Sequence, residues 1–158
     1  MIPPYRVEML GKHNRTAFIS GSEPLDLYFR ERAGQDMRRR LASCFVALDD
    51  TGAIAGFYTI AASSLVFDAL PAKDAERLPR YPVIPAVLLG RLAVANAHQG
   101  KRLGAALVAD ALRRATRTEV MAYAMIVDAK DEAAAQFYEY LGFKPLGEGG
   151  RRLIRALS

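Results

Sequence analysis

The order of elements along the chain predicts an α/β or α+β domain built around one mixed sheet. Three observations carry this prediction: an amphipathic helix near the N-terminus, a short β-rich pair after it, and two apolar runs that are each followed by a helix. The chain has 158 residues, of which 51% are hydrophobic and 25% charged. Neither a repeat nor a low-complexity segment interrupts it, so we expect one domain spanning residues 1–158.

Residues 22–41 are typical of one amphipathic helix. Ser22 is a plausible N-cap and Pro24 lies in the first turn. Apolar side chains recur every four positions on one face, and the opposite face is basic. The apolar positions are Leu25, Phe29, Ala33, Met37 and Leu41.

The β-rich segments 44–48 and 53–60 are joined by Asp49-Asp-Thr-Gly52, whose turn chemistry predicts an antiparallel hairpin. Segment 69–85 contains four prolines and predicts a connecting excursion with at most a short helix.

The second half of the chain alternates strands and helices. We expect strands at 87–94, 121–127 and 151–157, a polar loop at 96–100 and a helix at 103–115. The uniformly apolar run 121–127 indicates a strand that is covered on both faces, as in a parallel or mixed sheet. A further helix begins after Asp131 and Glu132, and Gly142 ends it.

Composition excludes several classes of protein. The single cysteine, Cys44, excludes a disulfide framework, and with only two histidines we expect no metal site. Apolar stretches fall short of the roughly 18 residues that span a bilayer, and the first residues lack the basic-then-apolar order of a signal peptide. We therefore expect a cytoplasmic protein that does not associate with a membrane. The net charge of +5 favours polyanionic ligands, either nucleic acid or a cofactor with several phosphates.

The segment Gln99-Gly-Lys-Arg-Leu-Gly104 connects a predicted strand to a helix. Such a junction presents unpaired backbone N–H groups and the positive end of a helix dipole to an anion. Lys101 and Arg102 add charge, and Gln99 either binds a phosphate oxygen or fixes the loop. The spacing alone is equally compatible with an ordinary helix start that has a basic cap.

This segment resembles the acetyl-CoA-binding motif [Q/R]-x-x-G-x-[G/A] of the GCN5-related N-acetyltransferases (GNAT), with Arg102 at the place of the first glycine. Residues 134–143 resemble the family's A-x-x-F-Y-x-x-x-G-F segment, which places a tyrosine beside the thioester. The resemblance implies the GNAT fold: a single mixed, mostly antiparallel sheet flanked by helices, with a splayed central parallel strand pair. It implies acetyl-CoA as co-substrate, with backbone N–H groups near 92–94 as oxyanion donors. The implied cofactor-binding residues are Leu92, Ala93, Val94, Gln99, Gly100, Lys101, Arg102, Leu103, Gly104 and Ala105.

Further segments, 18–21, 56–60, 79–82, 88–94 and 127–130, resemble the acetyltransferase toxins of bacterial type II toxin–antitoxin modules. That resemblance implies a toxin that acetylates the α-amino group of aminoacyl-tRNA and inhibits translation. It also implies a ribbon-helix-helix antitoxin and a homodimer.

Tyr138 is the candidate general acid. Helical spacing places it with Ala134, Phe137 and Leu141 on one inward stripe, whereas Tyr140 lies about 200° away at roughly 100° per residue. A phenol with a reference pKa of about 10 is protonated at neutral pH and can protonate a departing thiolate. Without the family motif, a core tyrosine with a hydrogen-bonded hydroxyl is the commoner role for such a residue.

The sequence offers no convincing general base, which favours an acceptor that is neutral without help. An α-amino group, with a pKa of about 7.7 to 8.0, meets this condition better than a lysine near 10.4. We interpret His98 as a solvated loop histidine and Cys44 as a core residue.

Six arginines are candidates for contact with tRNA phosphates, although a basic run is often only a solvated helix face. They are Arg38, Arg39, Arg40, Arg77, Arg80 and Arg91. Two other functions remain open: an acetyltransferase of a small amine, a peptide or a protein N-terminus without a toxin role, and a catalytically idle nucleic-acid-binding module.

Overall fold

The computed structural model describes residues 5–147 and 150–158. Its strands form one mixed seven-stranded sheet in the order β1-β2-β3-β4-β5-β7-β6, flanked by helices, which confirms the predicted fold class. The strands are β1 (Arg6–Met9), β2 (Ser43–Leu48), β3 (Ile54–Val66), β4 (Val83–Val94), β5 (Ala124–Asp128), β6 (Lys144–Pro145) and β7 (Arg152–Ala156). The helices are α1 (Glu23–Glu31), α2 (Ala33–Arg38), α3 (Ala72–Glu76), α4 (Leu103–Thr116) and α5 (Glu132–Tyr140), and short 3₁₀ turns lie at Phe67–Ala69 and Asn96–His98.

The strand pairs β1–β2, β2–β3, β5–β7 and β6–β7 are antiparallel, whereas β4 and β5 pair in parallel. The hairpin β2–β3 is confirmed, with Asp49 accepting N–H bonds from Thr51 and Ala53 at its turn. The parallel register of β4 and β5 extends from Ala86 opposite Ala124 to Leu89 opposite Val127. Strand β4 continues beyond this register to Val94, as a splayed parallel pair requires.

The single helix expected over residues 22–41 is wrong in one respect, because the chain breaks at Arg32. The Arg32 N–H bonds the carbonyl of Tyr28, closing α1, and the Arg32 carbonyl accepts from the N–H of Asp36, opening α2. Arg40 then adopts φ +60°, which ends the second helix and leaves Leu41 61% exposed. Leu41 therefore lies outside the apolar face to which its spacing assigned it.

Two compact units share the chain. The first comprises the described residues up to Ala61 together with Gly90–Ala111. Its core packs α1 against the sheet, with the Phe29 and Phe57 rings stacked at 4.2 Å between centroids. Helix α4 lies close to β3 because residue 56 is glycine: a Cβ there would lie 3.0 Å from the Ala93 carbonyl oxygen and 3.0 Å from Leu107.

The second unit comprises Ala62–Leu89 and Leu112–Ser158. Its core joins β3, β4, β5 and β7 through apolar side chains that include Leu65, Ile84, Ile126 and Ile154. Strand β5 begins at Ala124 rather than at the expected residue 121, and Met121 is 80% exposed. The described residues of β5 up to Val127 are all buried, as their uniform apolarity predicts.

Within the described part of the chain, no helix has the length and apolar character needed to cross a membrane.

Candidate active site

The loop between β4 and α4 is held in place by Gln99. Its side-chain N–H groups donate to the carbonyl of Ser20 at 2.8 Å and to the carbonyl of Val94 at 3.0 Å. A third contact joins it to the Asn96 side-chain oxygen at 3.2 Å. Of the two roles that the sequence leaves open for Gln99, the structure supports that of fixing the loop.

Two residues of this loop adopt left-handed backbone conformations: Gly100 at φ +82° and Arg102 at φ +62°. The positive φ at Arg102 gives a physical reason for the glycine that the family motif has there. Arg102 accepts the first helical hydrogen bond through its carbonyl, from the N–H of Ala106. The N–H groups of Leu103, Gly104 and Ala105 therefore have no acceptor within helix α4.

Lys101 and Arg102 are exposed beside these N–H groups, and a side chain added at Gly100 would meet no atom within 4 Å. Donors, positive charge and open space thus coincide at the start of α4. This arrangement fits a pyrophosphate. Leu92 and Val94, beyond the end of the β4–β5 register, are half-buried and Ala93 is buried.

Tyr138 lies in α5, whose N-cap Asp131 accepts a hydrogen bond from the Ala134 N–H at 2.8 Å. The tyrosine is only 8% exposed, and its ring makes edge contacts with Phe137 and Phe143. The inward position expected from helical spacing is therefore observed.

The hydroxyl of Tyr138 makes no hydrogen bond within the described residues. Because every fully enclosed side-chain polar atom described has a partner, this hydroxyl must reach open space. In this respect Tyr138 differs from a core tyrosine, whose hydroxyl would be hydrogen-bonded within the protein. Burial raises the pKa of Tyr138 to about 12, so the phenol is protonated and able to donate throughout the neutral range. Tyr140 is 87% exposed, as its spacing predicts.

The candidate arginines lie in three places. Arg38, Arg39 and Arg40, at the end of α2, are exposed and make no ion pair within the described residues. Arg77 pairs with the buried Asp74 at 3.7 Å, and the guanidinium of Arg80 lies 5.0 Å from the Phe67 ring centroid.

Arg91 lies in β4, with its guanidinium carbon 3.7 Å from the ring centroid of Tyr28. Sequence reasoning missed Tyr28, since its spacing marks only a neighbour of the apolar face. No local pattern connects it to a strand residue so far along the chain.

His98 is not the solvated histidine that we expected. Its side chain is 17% exposed, and its ring nitrogens contact the Tyr5 hydroxyl at 2.7 Å and the Asp49 carboxylate at 3.3 Å. Both histidines line a cavity of about 810 Å³ in the first unit. Cys44 is buried, as expected, and burial raises the pKa of its thiol to about 12, so it is a core residue. Among the described residues, no group of histidine, cysteine and carboxylate side chains could hold a metal ion.

These features define a GNAT acetyltransferase. The family model described as an acetyltransferase (GNAT) domain matches residues 40–145, and the chain belongs to this family. It is accordingly an N-acetyltransferase enzyme, as the two sequence motifs predict.

Three relatives show which branch of the family the chain is similar to. A "tRNA-acetylating toxin" of Mycobacterium tuberculosis (strain ATCC 25618 / H37Rv) is 34% identical over 131 residues, 82% of this chain and 77% of the toxin. A solved structure of AtaT complexed with acetyl-methionyl-tRNAfMet has a TM-score of 0.89 and 30% identity, covering 96% of this chain and 94% of that one. A tyrosine-to-phenylalanine mutant of the AtaT toxin, bound to the C-terminus of the antitoxin AtaR and acetyl-CoA, has a TM-score of 0.82 and 26% identity, covering 98% and 94%.

Proposed function

We propose that this protein is a cytoplasmic toxin that transfers an acetyl group to the α-amino group of aminoacyl-tRNA and thereby inhibits translation. The observation that carries the proposal is the 34% identity to a tRNA-acetylating toxin across most of both chains. The match in fold to AtaT bound to an acetylated, charged tRNA supports the same acceptor. We treat the whole chain, 1–158, as one acetyltransferase domain.

Acetyl-CoA is the acetyl donor. When bound, it supplies the activated acetyl group as a thioester. In our proposal the N–H groups of Leu103, Gly104 and Ala105 hold its pyrophosphate, Lys101 and Arg102 neutralise the phosphate charge, and Gln99 keeps the loop in this shape. Gly100 leaves the space for close approach.

Residues 92–94 provide the backbone donors for the negative charge that develops on the thioester oxygen. The acceptor nitrogen forms a bond to the acetyl carbon, the carbon–sulfur bond breaks, and the nitrogen loses a proton to water. Tyr138 gives its hydroxyl proton to the departing thiolate sulfur and then recovers a proton from water. Its raised pKa ensures that this proton is present at neutral pH.

An α-amino acceptor suits this site because we assign no general base to it. The ordinary pKa of an α-amino group, about 7.7 to 8.0, leaves much of it neutral in the cell, and an adjacent ester lowers the value further. Arg38, Arg39 and Arg40 are available for tRNA phosphates, since they are exposed and unpaired within the described residues.

The partner that we propose is a ribbon-helix-helix antitoxin, and the assembly that we propose is a homodimer. The AtaT toxin bound to the C-terminus of AtaR supports an antitoxin of some kind. Size-exclusion chromatography with light scattering, with and without the product of a short neighbouring reading frame, tests both statements.

A matched pair of variants tests the role of the tyrosine. Tyr138→Phe removes only the hydroxyl, so we expect acetyl-CoA binding to persist while transfer to charged tRNA falls by about 10²-fold or more. Tyr140→Phe removes the same atom from the exposed face of the same helix and should leave transfer unchanged.

The assay follows labelled acetyl groups from acetyl-CoA to total charged tRNA, with uncharged tRNA as control. Undiminished transfer by Tyr138→Phe would remove it from the mechanism. Transfer to small amines or peptide N-termini, with none to charged tRNA, would replace the proposed acceptor.

A further inference from the structure

Arg91 occupies an unusual position for an exposed arginine. Its guanidinium carbon lies over the Tyr28 ring, 3.7 Å from the centroid, while the described residues offer the side chain no ion pair and no hydrogen bond. The aromatic ring covers one face of the guanidinium and leaves its N–H groups free along the edges. A planar cation held in this way is suited to an anion that accepts two parallel hydrogen bonds, such as a phosphate.

Tyr28 is itself firmly held. It is buried in the core of the first unit, and its hydroxyl donates to the Asp36 carboxylate at 2.8 Å. This bond connects α1 to α2 across the helix break at Arg32. Burial, and then the bond to Asp36, raise the pKa of Tyr28, so the phenol remains a donor. The ring below Arg91 therefore has a fixed orientation.

The position of Arg91 along the strand relates it to the chemistry. Arg91 immediately precedes residues 92–94, to which we assign the oxyanion donors, and a strand rises about 3.3 Å per residue, so it begins within about 10 Å of all three. In aminoacyl-tRNA the reacting amine is joined through an ester to the terminal ribose. The phosphate on the other side of that ribose is the anion nearest to the amine.

We propose that Arg91 binds the phosphate of the 3′-terminal nucleotide of charged tRNA and that Tyr28 is a positioning residue that holds its guanidinium in place. The proposal rests on the aminoacyl-tRNA acceptor proposed above. It gives Arg91 a different role from Arg77, which pairs with a buried carboxylate in the same chain. The break at Arg32 contributes to this arrangement, because it brings Asp36 of α2 within hydrogen-bond distance of the Tyr28 hydroxyl in α1.

Equilibrium binding of two stable probes tests this assignment without requiring acetyl transfer. Both are adenosines that carry an amino acid on the 3′ position through an amide, one with a 5′-phosphate and one without. In the wild type we expect the phosphate to strengthen binding about tenfold, as a charge-assisted hydrogen-bond pair does. In Arg91→Lys, which keeps the charge but loses the planar fork, most of that gain should disappear.

Three further variants separate positioning from folding. Tyr28→Phe keeps the ring but loses its bond to Asp36, so it should keep only part of the phosphate gain, whereas Tyr28→Leu removes the ring and should behave like Arg91→Lys. Arg6→Lys changes an exposed arginine that pairs with Glu8 in the first unit and should match the wild type. With charged tRNA, Arg91→Lys should raise KM while leaving kcat nearly unchanged.

An equal phosphate gain in the wild type and Arg91→Lys, or no gain in the wild type, would overturn the assignment. A phosphate gain that depends on Arg91, in a protein that fails to acetylate charged tRNA, would support the phosphate site and count against the proposed function. The experiments can therefore refute the Arg91 phosphate site and the proposed acetylation of charged tRNA independently of each other.

Discussion

Gly56 in β3 allows helix α4 to pack directly on the sheet. We expect its replacement by alanine to lower the stability of the protein and to weaken acetyl-CoA binding at the loop before α4. The added Cβ would lie 3.0 Å from the Ala93 carbonyl oxygen and 3.0 Å from Leu107, with Leu103 at 3.4 Å. Overpacking of this kind costs about 1 to 3 kcal/mol. Alanine also lowers the conformational entropy of the unfolded chain, which stabilises the folded state by about 0.4 to 1 kcal/mol. The midpoints of these two ranges differ by about 1.3 kcal/mol, so we expect Gly56→Ala to lower the free energy of unfolding by about 1.3 kcal/mol.

Gly34→Ala is the matched control, because the same methyl group is added where it fits. A Cβ at this position of α2 would lie 3.4 Å from guanidinium nitrogens of Arg15 and Arg38, at the edge of ordinary van der Waals contact. Alanine in a helix is favoured over glycine by about 1 kcal/mol, so this variant should be more stable than the wild type. Urea unfolding at neutral pH measures both changes.

Acetyl-CoA titration provides a second readout of the same pair. Leu103 and Leu107 belong to the first two turns of α4, so the shift forced by Gly56→Ala should weaken acetyl-CoA binding several-fold, whereas Gly34→Ala should not. If both variants unfolded at higher urea concentration than the wild type, the close packing of α4 on β3 would not hold.

Three other predictions concern single groups. Since the pKa of Tyr138 is raised to about 12, the stability that its buried neutral phenol contributes is complete below about pH 10 and is lost as the pH rises through 12. Urea unfolding at pH 9 and at pH 11 should show this loss of stability in the wild type and a smaller loss in Tyr138→Phe. Equal losses in the two proteins would contradict the prediction. Arg40→Gly removes a left-handed arginine and should raise the free energy of unfolding by about 0.5 to 1 kcal/mol, visible as a higher Tm; a lower Tm would speak against strain at φ +60°. Asp74→Ala deletes a buried carboxylate that accepts hydrogen bonds from Tyr123 and, at 3.2 Å, from Lys144. Thermal unfolding should show that the free energy of unfolding falls by about 2 kcal/mol. An unchanged Tm would show that these bonds do not contribute to stability.

The elements that the sequence predicts well are those whose pattern is long and whose caps are explicit. Helix α5 follows from the Asp131 N-cap and from Gly142 at φ +95°, and the buried strand β5 follows from its continuous apolar run. Both signals are local and agree with the surrounding fold. The fold class could therefore be inferred without a structure.

The misses have particular causes. Strand β1 has only four residues, with exposed ends, and its pairing with β2 is not visible in its own pattern. The four-residue apolar spacing continues through Arg32, so periodicity gave no warning of the break there. At the break, Arg32 has φ −118° and serves both as the C-cap of α1 and as the N-cap of α2.

The site divides in the same way. The basic loop before α4 and the inward position of Tyr138 could be inferred, because a motif or a helical stripe marks each of them. The stack of Arg91 on Tyr28 and the contacts of His98 with Tyr5 and Asp49 could not, since each pair joins residues that are distant in the chain. Such contacts depend on strand register and helix placement, which no local pattern encodes.

The most direct test of the central claim is the chemical identity of the acetylated product. The protein is incubated with labelled acetyl-CoA and total charged tRNA, the tRNA is digested with nuclease, and the labelled nucleoside is identified by mass spectrometry. The account predicts adenosine esterified to an N-acetylated amino acid, absent when the tRNA is deacylated beforehand. Label on an internal base, or no label on tRNA while a small amine or a peptide N-terminus is acetylated, would contradict it.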